Sequence, residues 1–272
     1  MTIISHIPVF GEHSQEVALI QTLLEENGFN PNGIDGIYGK DTKRAIIDFQ
    51  DRNGLTKDGI LGKITLGAMG LKIKTPVNAD GYAVLSWEKH HPERTEWSKI
   101  VIDKISILWD KLAQCQDITD FHPDFVRLTA KQQKSVWAEL ICNICLHESS
   151  WQRTCSVPEK NFENLDSITN QFVRSEGLMQ LSYQDKKSYA SLPCDFNWEV
   201  DKNLKVDDPN KTIFNPKSNL EFGIEILANQ IKNHKKIALS KGYGNYYWAV
   251  LIPDGKYTKI PQIKSILKGM SF

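Results

Sequence analysis

Apolar residues recur along this chain at helical rather than alternating spacing, and most of the resulting stripes close on a recognisable stop. Val17, Ile20, Leu23 and Leu24 share one face of a helix that ends at Asn27-Gly28. Thr42, Ala45, Ile46 and Phe49 form a second stripe, ending at Asn53-Gly54. Trp97, Ile100, Val101, Ile105, Leu108 and Leu112 mark a third helix. A fourth opens on a capping box, Thr129-Ala130-Lys131-Gln132, and carries Trp137, Leu140, Ile141 and Ile144 on one side. Asn215-Pro216 supplies an N-cap with proline at the first helical position, and Leu220, Gly223, Ile224, Leu227, Ala228 and Ile231 follow on one face. The pattern predicts a mainly α protein.

An internal repeat divides it. Asp35-Gly36-Ile37-Tyr38-Gly39-Lys40-Asp41-Thr42 is echoed by Asp58-Gly59-Ile60-Leu61-Gly62-Lys63-Ile64-Thr65. Such a glycine-rich turn delivers the chain into a helix, here twice, so three short helices around one small core are expected over residues 1–70. Gly28, the two Asp-Gly turns, Ala45, Phe49-Gln50, Leu55, Gly62 and Thr65 make residues 14–69 resemble the peptidoglycan-binding module of cell-wall enzymes. The resemblance implies Asp35 and Tyr38 as contacts to the wall polymer. The residues themselves leave another reading open, in which Asp35 holds its own turn and Tyr38 packs.

Residues 71–94 read as a linker, broken by Pro76, Asp80-Gly81 and His90-His91-Pro92. Tyr82, Val84, Leu85 and Trp87 anchor its middle. A second, helical domain is expected over residues 95–272. Its fourth stripe runs on into Glu148, in the last turn before Ser149-Ser150-Trp151. A carboxylate on an apolar face loses hydration, and the negative end of the helix dipole disfavours its anion further. Both effects favour a neutral acid near pH 7, as general-acid catalysis requires.

His147-Glu148-Ser149-Ser150-Trp151, then Gly177-Leu178-Met179-Gln180, then Asn219 with Gly223 and Leu227 resemble in order three motifs of the soluble lytic transglycosylases. That family shares a lysozyme-like α-helical fold with goose-type lysozyme. The resemblance covers roughly residues 129–235 and implies Glu148 as the catalytic acid. It implies Ser150, Glu176, Gly177, Leu178, Met179 and Gln180 as lining for the sugars, although Leu178 and Met179 also suit a core. Tyr247, with Tyr246 beside it, is the counterpart of a family tyrosine that approaches the acid, in a segment lacking the family's Asn. Residues 152–174 and 182–214 are loop-rich insertions expected to wall the cleft.

The resemblance implies that the bond cleaved joins N-acetylmuramic acid to N-acetylglucosamine. Inverting hydrolases hold a second carboxylate about 6.5–9.5 Å from the acid to activate water. Goose-type lysozymes have an Asp two residues after the motif Gln, where this chain has Ser182. The expected product is therefore a 1,6-anhydro sugar. A muramidase using Glu176, or else Asp185, is the alternative, and a non-catalytic wall-binding protein is a third reading.

Charge and composition narrow the partners. Thirty-three basic residues balance thirty-three acidic ones, which disfavours nucleic acid and means that any grip on an anionic polymer needs a dedicated site. No apolar run is long enough to span a bilayer. Met1–Phe10 lacks a basic start and carries no recognisable signal peptide, so synthesis in the cytoplasm followed by phage-type release or specialised secretion is expected. An effector of that kind would meet secretion machinery and an immunity protein; a monomer without cofactor is expected. Five cysteines suggest reduced thiols, with a Cys155–Cys194 bridge left open. Cys142, Cys145 and His147 have metal-like spacing but lie within two helical turns, so no metal is expected.

Overall fold

The structure, a computed structural model, describes residues 2–89, 91–159, 165–240 and 247–272. It is mainly helical and divides into two compact units, Met1–Pro76 with Gly269–Phe272, and Val77–Lys268. No helix among the described residues is long and apolar enough to cross a membrane.

In the first unit, β1 (Thr2–Ile4) precedes α1 (Gln15–Glu26), α2 (Lys40–Arg52), α3 (Lys63–Ala68) and β2 (Leu71–Ile73). Ser14 caps α1 by accepting from Val17 N, and α1 gives way at Asn27 to Gly28, whose φ is +82°. Ile20, Leu24, Ala45, Ile46, Phe49, Leu61 and Leu66 fill one core. The two turns of the repeat are closed alike by buried glutamines. Gln21 Nε2 donates to Asp35 Oδ1, Ile37 O and Thr42 Oγ1, and its Oε1 accepts from Gly36 N. Gln50 makes the same set with Asp58, Ile60, Thr65 and Gly59. The parallel pairing of β1 with β2, Thr2 opposite Leu71, has no counterpart in the sequence pattern.

In the second unit, α4 (Thr95–Ile107) is followed by the short α5 (Trp109–Leu112) and α6 (Ile118–Phe121), then by α7 (Ala130–Ser149). The third predicted stripe is thus interrupted at Leu108. After α7 come β3 (Ser156–Pro158), β4 (Arg174–Glu176), α8 (Asp185–Ser188), α9 (Trp198–Asp201), α10 (Pro216–His234) and α11 (Ile260–Lys268). Strands β3 and β4 form an antiparallel ribbon with Val157 opposite Ser175; β3 lies inside the 152–174 stretch read from sequence as loop, and β4 closes it.

Helix α7 is central. Thr129 N donates to Gln132 Oε1 as the capping box requires, and α4 packs against both α7 and α10. From Ser135 to Cys145 every residue of α7 is buried, so the helix is enclosed on all sides through its middle. Full burial of Leu140, Ile141 and Ile144 contributes about 1.5–3 kcal/mol for each side chain, and Trp137 is buried beside them. Glu139 is buried among them and accepts from Ser86 N (3.0 Å), Ser86 Oγ and Asn143 Nδ2 (2.9 Å). These bonds fix the 83–88 segment, whose Leu85 and Trp87 are fully buried. At the start of α10, Asn215 Oδ1 accepts from Lys217 N at 2.9 Å.

Candidate active site

The last turn of α7 delivers Glu148, and the chain then leaves through two consecutive left-handed residues, Ser150 (φ 52°) and Trp151 (φ 60°). The Trp151 indole folds back and donates to Cys142 O at 2.8 Å. Glu148 Oε1 is enclosed and has no hydrogen-bond partner among the described residues. Burial raises its pKa from 4.5 to about 7, and the charge of Glu159 pushes in the same direction. The two nearby bases that could have neutralised it do not. Arg153 Nη1 donates to Pro209 O, and burial lowers the pKa of His147. A carboxyl group that is desolvated and unpaired stays protonated up to about neutral pH, where it can donate a proton.

The floor beside it is the 177–180 loop. Ser149, at the end of α7, reaches it with Oγ 2.9 Å from Leu178 O, so this serine ties helix to loop, while Ser150 stands exposed. Asn219 on α10 holds the loop from the other side. Its Oδ1 accepts from Met179 N (2.8 Å), and its Nδ2 donates to Glu176 O (3.1 Å) and Ile213 O (2.9 Å). Trp248 Nε1 adds a bond to Met179 O at 2.9 Å. Gly223 leaves room for the Met179 side chain, since a Cβ there would come within 2.3 Å of the sulfur.

Several expected contacts need correction. Leu178 and Met179 are 0% exposed and belong to the core, because their backbone is clamped inward by Ser149, Asn219 and Trp248. Gln180 is nearly buried, with φ 51°, and its Nε2 donates back to Gly177 O. Glu176 is not a free second carboxylate. It is 2% exposed, accepts from Ser156 Oγ at 2.9 Å, and is ion-paired with Lys211. Asp185 is buried as well, accepting from Ser182 N (2.7 Å) and from the Tyr247 hydroxyl. Burial raises its pKa. Tyr247 therefore points its phenol at Asp185. Burial, Asp185 and, more weakly, Glu148 push that phenol's pKa upward, so the ring lies within electrostatic reach of the acid. Tyr246 lies outside the described residues. In the first unit, Tyr38 is 2% exposed and its hydroxyl donates to Gly59 O at 2.5 Å, so it packs in the core and is not a wall contact. Asp35 Oδ1 is spent on Gln21 and on Ile37 N of its own turn. All five cysteines are free thiols.

Sequence reasoning missed Glu159. It follows β3, where its N–H donates to Val173 O at 2.9 Å and its Oε1 accepts from Ser175 Oγ. The ribbon is thus the element that brings a second carboxylate into the field of Glu148. Nothing local marks it, because residue 159 falls in an insertion without helical or strand periodicity.

An enclosed acid without a partner at a helix end, beside a loop clamped from three sides in a helical domain, is the arrangement of a lysozyme-like peptidoglycan glycosidase. Residues 126–246 match the transglycosylase SLT domain and residues 13–69 the peptidoglycan binding domain, so the chain carries a peptidoglycan-binding domain followed by an SLT transglycosylase domain. Among solved structures, wild-type Bd0314 DslA (form 2) shares 24% identity at a TM-score of 0.54, covering 69% of this chain and 96% of that one. Two single glutamate-to-glutamine mutants of DslA match with 22% and 23% identity, each at a TM-score of 0.53. These likenesses show the fold. The carboxy-terminal processing protease CtpB of Bacillus subtilis (strain 168) is 34% identical over 62 residues, 23% of this chain. The N-acetylmuramoyl-L-alanine amidase CwlM of Mycobacterium tuberculosis is 36% identical over 62 residues, again 23% of this chain. The matches span only 13% and 14% of those proteins.

Proposed function

We propose that the protein cleaves the β-1,4 bond between N-acetylmuramic acid and N-acetylglucosamine by lytic transglycosylation, while its first domain holds it on the wall. The observation that carries this reading is the enclosed, unpartnered Oε1 of Glu148. Its proton passes to the glycosidic oxygen as the bond to C1 breaks. The carboxylate left behind takes the proton of the substrate's own C6 hydroxyl, whose oxygen closes on C1. Atoms balance without water, and Glu148 is again protonated. On this route the Glu159 anion keeps the acid protonated and opposes the positive charge that develops on the sugar ring.

Hydrolysis is the second reading, and Glu159 is the observation that favours it. A carboxylate in the field of the acid is what an inverting muramidase uses to activate water. In DslA the two substituted glutamates lie eleven residues apart, the same spacing as Glu148 and Glu159 here. Mass spectrometry of digested sacculi decides between the routes. Anhydro-muramyl ends support transglycosylation; products heavier by one water establish hydrolysis. Intact sacculi after prolonged incubation would leave only a wall-binding protein.

A further inference from the structure

Beside the end of α7 lies a hollow of about 360 Å³ lined by Glu93, Arg94, Trp97, Trp151, Arg153 and neighbouring chain. The Arg94 guanidinium sits over both indoles, 5.0 Å from the Trp97 ring centre and 5.7 Å from that of Trp151. Both rings are fixed from behind. Trp97 packs edge-on against Trp87, and Trp151 is bonded to Cys142 O. Stacking satisfies the faces of a guanidinium but none of its five in-plane N–H groups. Arg94 Nη1 is shielded from solvent and has no acceptor among the described residues, an arrangement that costs free energy until something supplies one.

The surroundings say what would supply it. Arg153 adds a second positive charge to the lining, and α4 begins at Thr95, so the positive end of its dipole lies at the same place. The acid in the lining, Glu93, is hydrogen-bonded to His91 at 3.1 Å and also feels the charge of Arg94, but it makes no hydrogen bond to Arg94 Nη1. A planar, charged fork between two rigid aromatic faces matches a carboxylate attached to a body that lies against the rings. Trp151 is three residues from Glu148, so the hollow lies at the end of α7 that carries the acid. The balanced overall charge of the chain leaves recognition of an anionic polymer to a local site of this kind.

We propose that the hollow at Arg94, Trp97, Trp151 and Arg153 binds a carboxylate of the muramyl part of the substrate, either the lactyl carboxylate where it is free or one on the stem peptide. The choice of substrate rests on the glycosidase reading above. The test uses small ligands with no scissile bond, so its outcome is separate from turnover of sacculi. Tryptophan fluorescence of the full chain is titrated with N-acetylmuramic acid, with its methyl ester, with a stem tetrapeptide and with the fully amidated peptide. The free form of one acid should bind roughly tenfold or more tightly than its neutral counterpart, and which acid does so names the source. Arg94→Gln should abolish that preference, and Arg153→Gln should weaken it, which keeps the test valid if the first variant fails to fold. Equal binding of acid and neutral forms by the wild type, or a preference that survives Arg94→Gln, overturns the proposal.

Discussion

Asn219 occupies the space that a side chain on Gly177 would need: a Cβ there would stand 2.2 Å from Asn219 Nδ2 and 3.0 Å from Ile213 O. Gly177 also holds φ +78°, where side chains are strained. Gly177→Ala therefore displaces the amide that binds Met179 N, Glu176 O and Ile213 O. We expect about 2–4 kcal/mol lower stability in urea unfolding, together with loss of wall-degrading activity. Asn219→Ala, which strands Met179 N and takes one hydrogen bond each from Glu176 O and Ile213 O, should give a similar loss.

Glu148→Gln should lower the rate of sacculus solubilisation by roughly 10²–10⁴-fold, read by turbidity. Stability should move the opposite way. The folded-state pKa of Glu148, about 7, lies above its ordinary 4.5, so the folded protein binds the extra proton between those values. Stability then falls as pH rises through that window, and the whole cost is present above about pH 7. The glutamine variant escapes it. Its stability gain should be negligible near pH 4 and on the order of 3 kcal/mol at pH 8, measured by thermal melts across pH.

Glu159→Gln separates the two routes. Removing its charge lowers the pKa of Glu148, so the basic limb of the kcat/KM profile should shift to lower pH. Transglycosylation predicts that shift with substantial activity kept at acid pH. If Glu159 is the base for water, activity at the optimum falls by roughly a hundredfold or more instead.

Lys211→Met should strand the buried carboxylate of Glu176 and cost about 3–5 kcal/mol. The double variant with Glu176→Gln should recover most of that loss, because no uncompensated charge remains. Denaturant titrations of the four proteins of this cycle measure the coupling directly.

Signals written locally were legible. The caps at Thr129 and Asn215, the stops at Asn27 and Asn53, and the apolar stripe leading to Glu148 each involve residues within a few turns of one another. What was not legible depends on residues far apart in the chain. The Glu176–Lys211 pair joins positions thirty-five residues apart, and only that contact turns a candidate base into a structural ion. Leu178, Met179 and Tyr38 carry family motifs, yet a motif does not say whether a side chain faces a groove or the core; the bonds of Asn219, Trp248 and Gly59 decide it. Glu159 needed the β3–β4 ribbon, whose register no periodicity announces.

The twin glutamine clamps of the first domain amount to a duplicated experiment written into one polypeptide. Gln21 and Gln50 make matching donor and acceptor contacts, but the first hangs on α1 and the second on α2. Truncating either one removes the same chemistry from a different scaffold. Whatever difference the two losses show measures what the scaffold adds to an identical set of bonds.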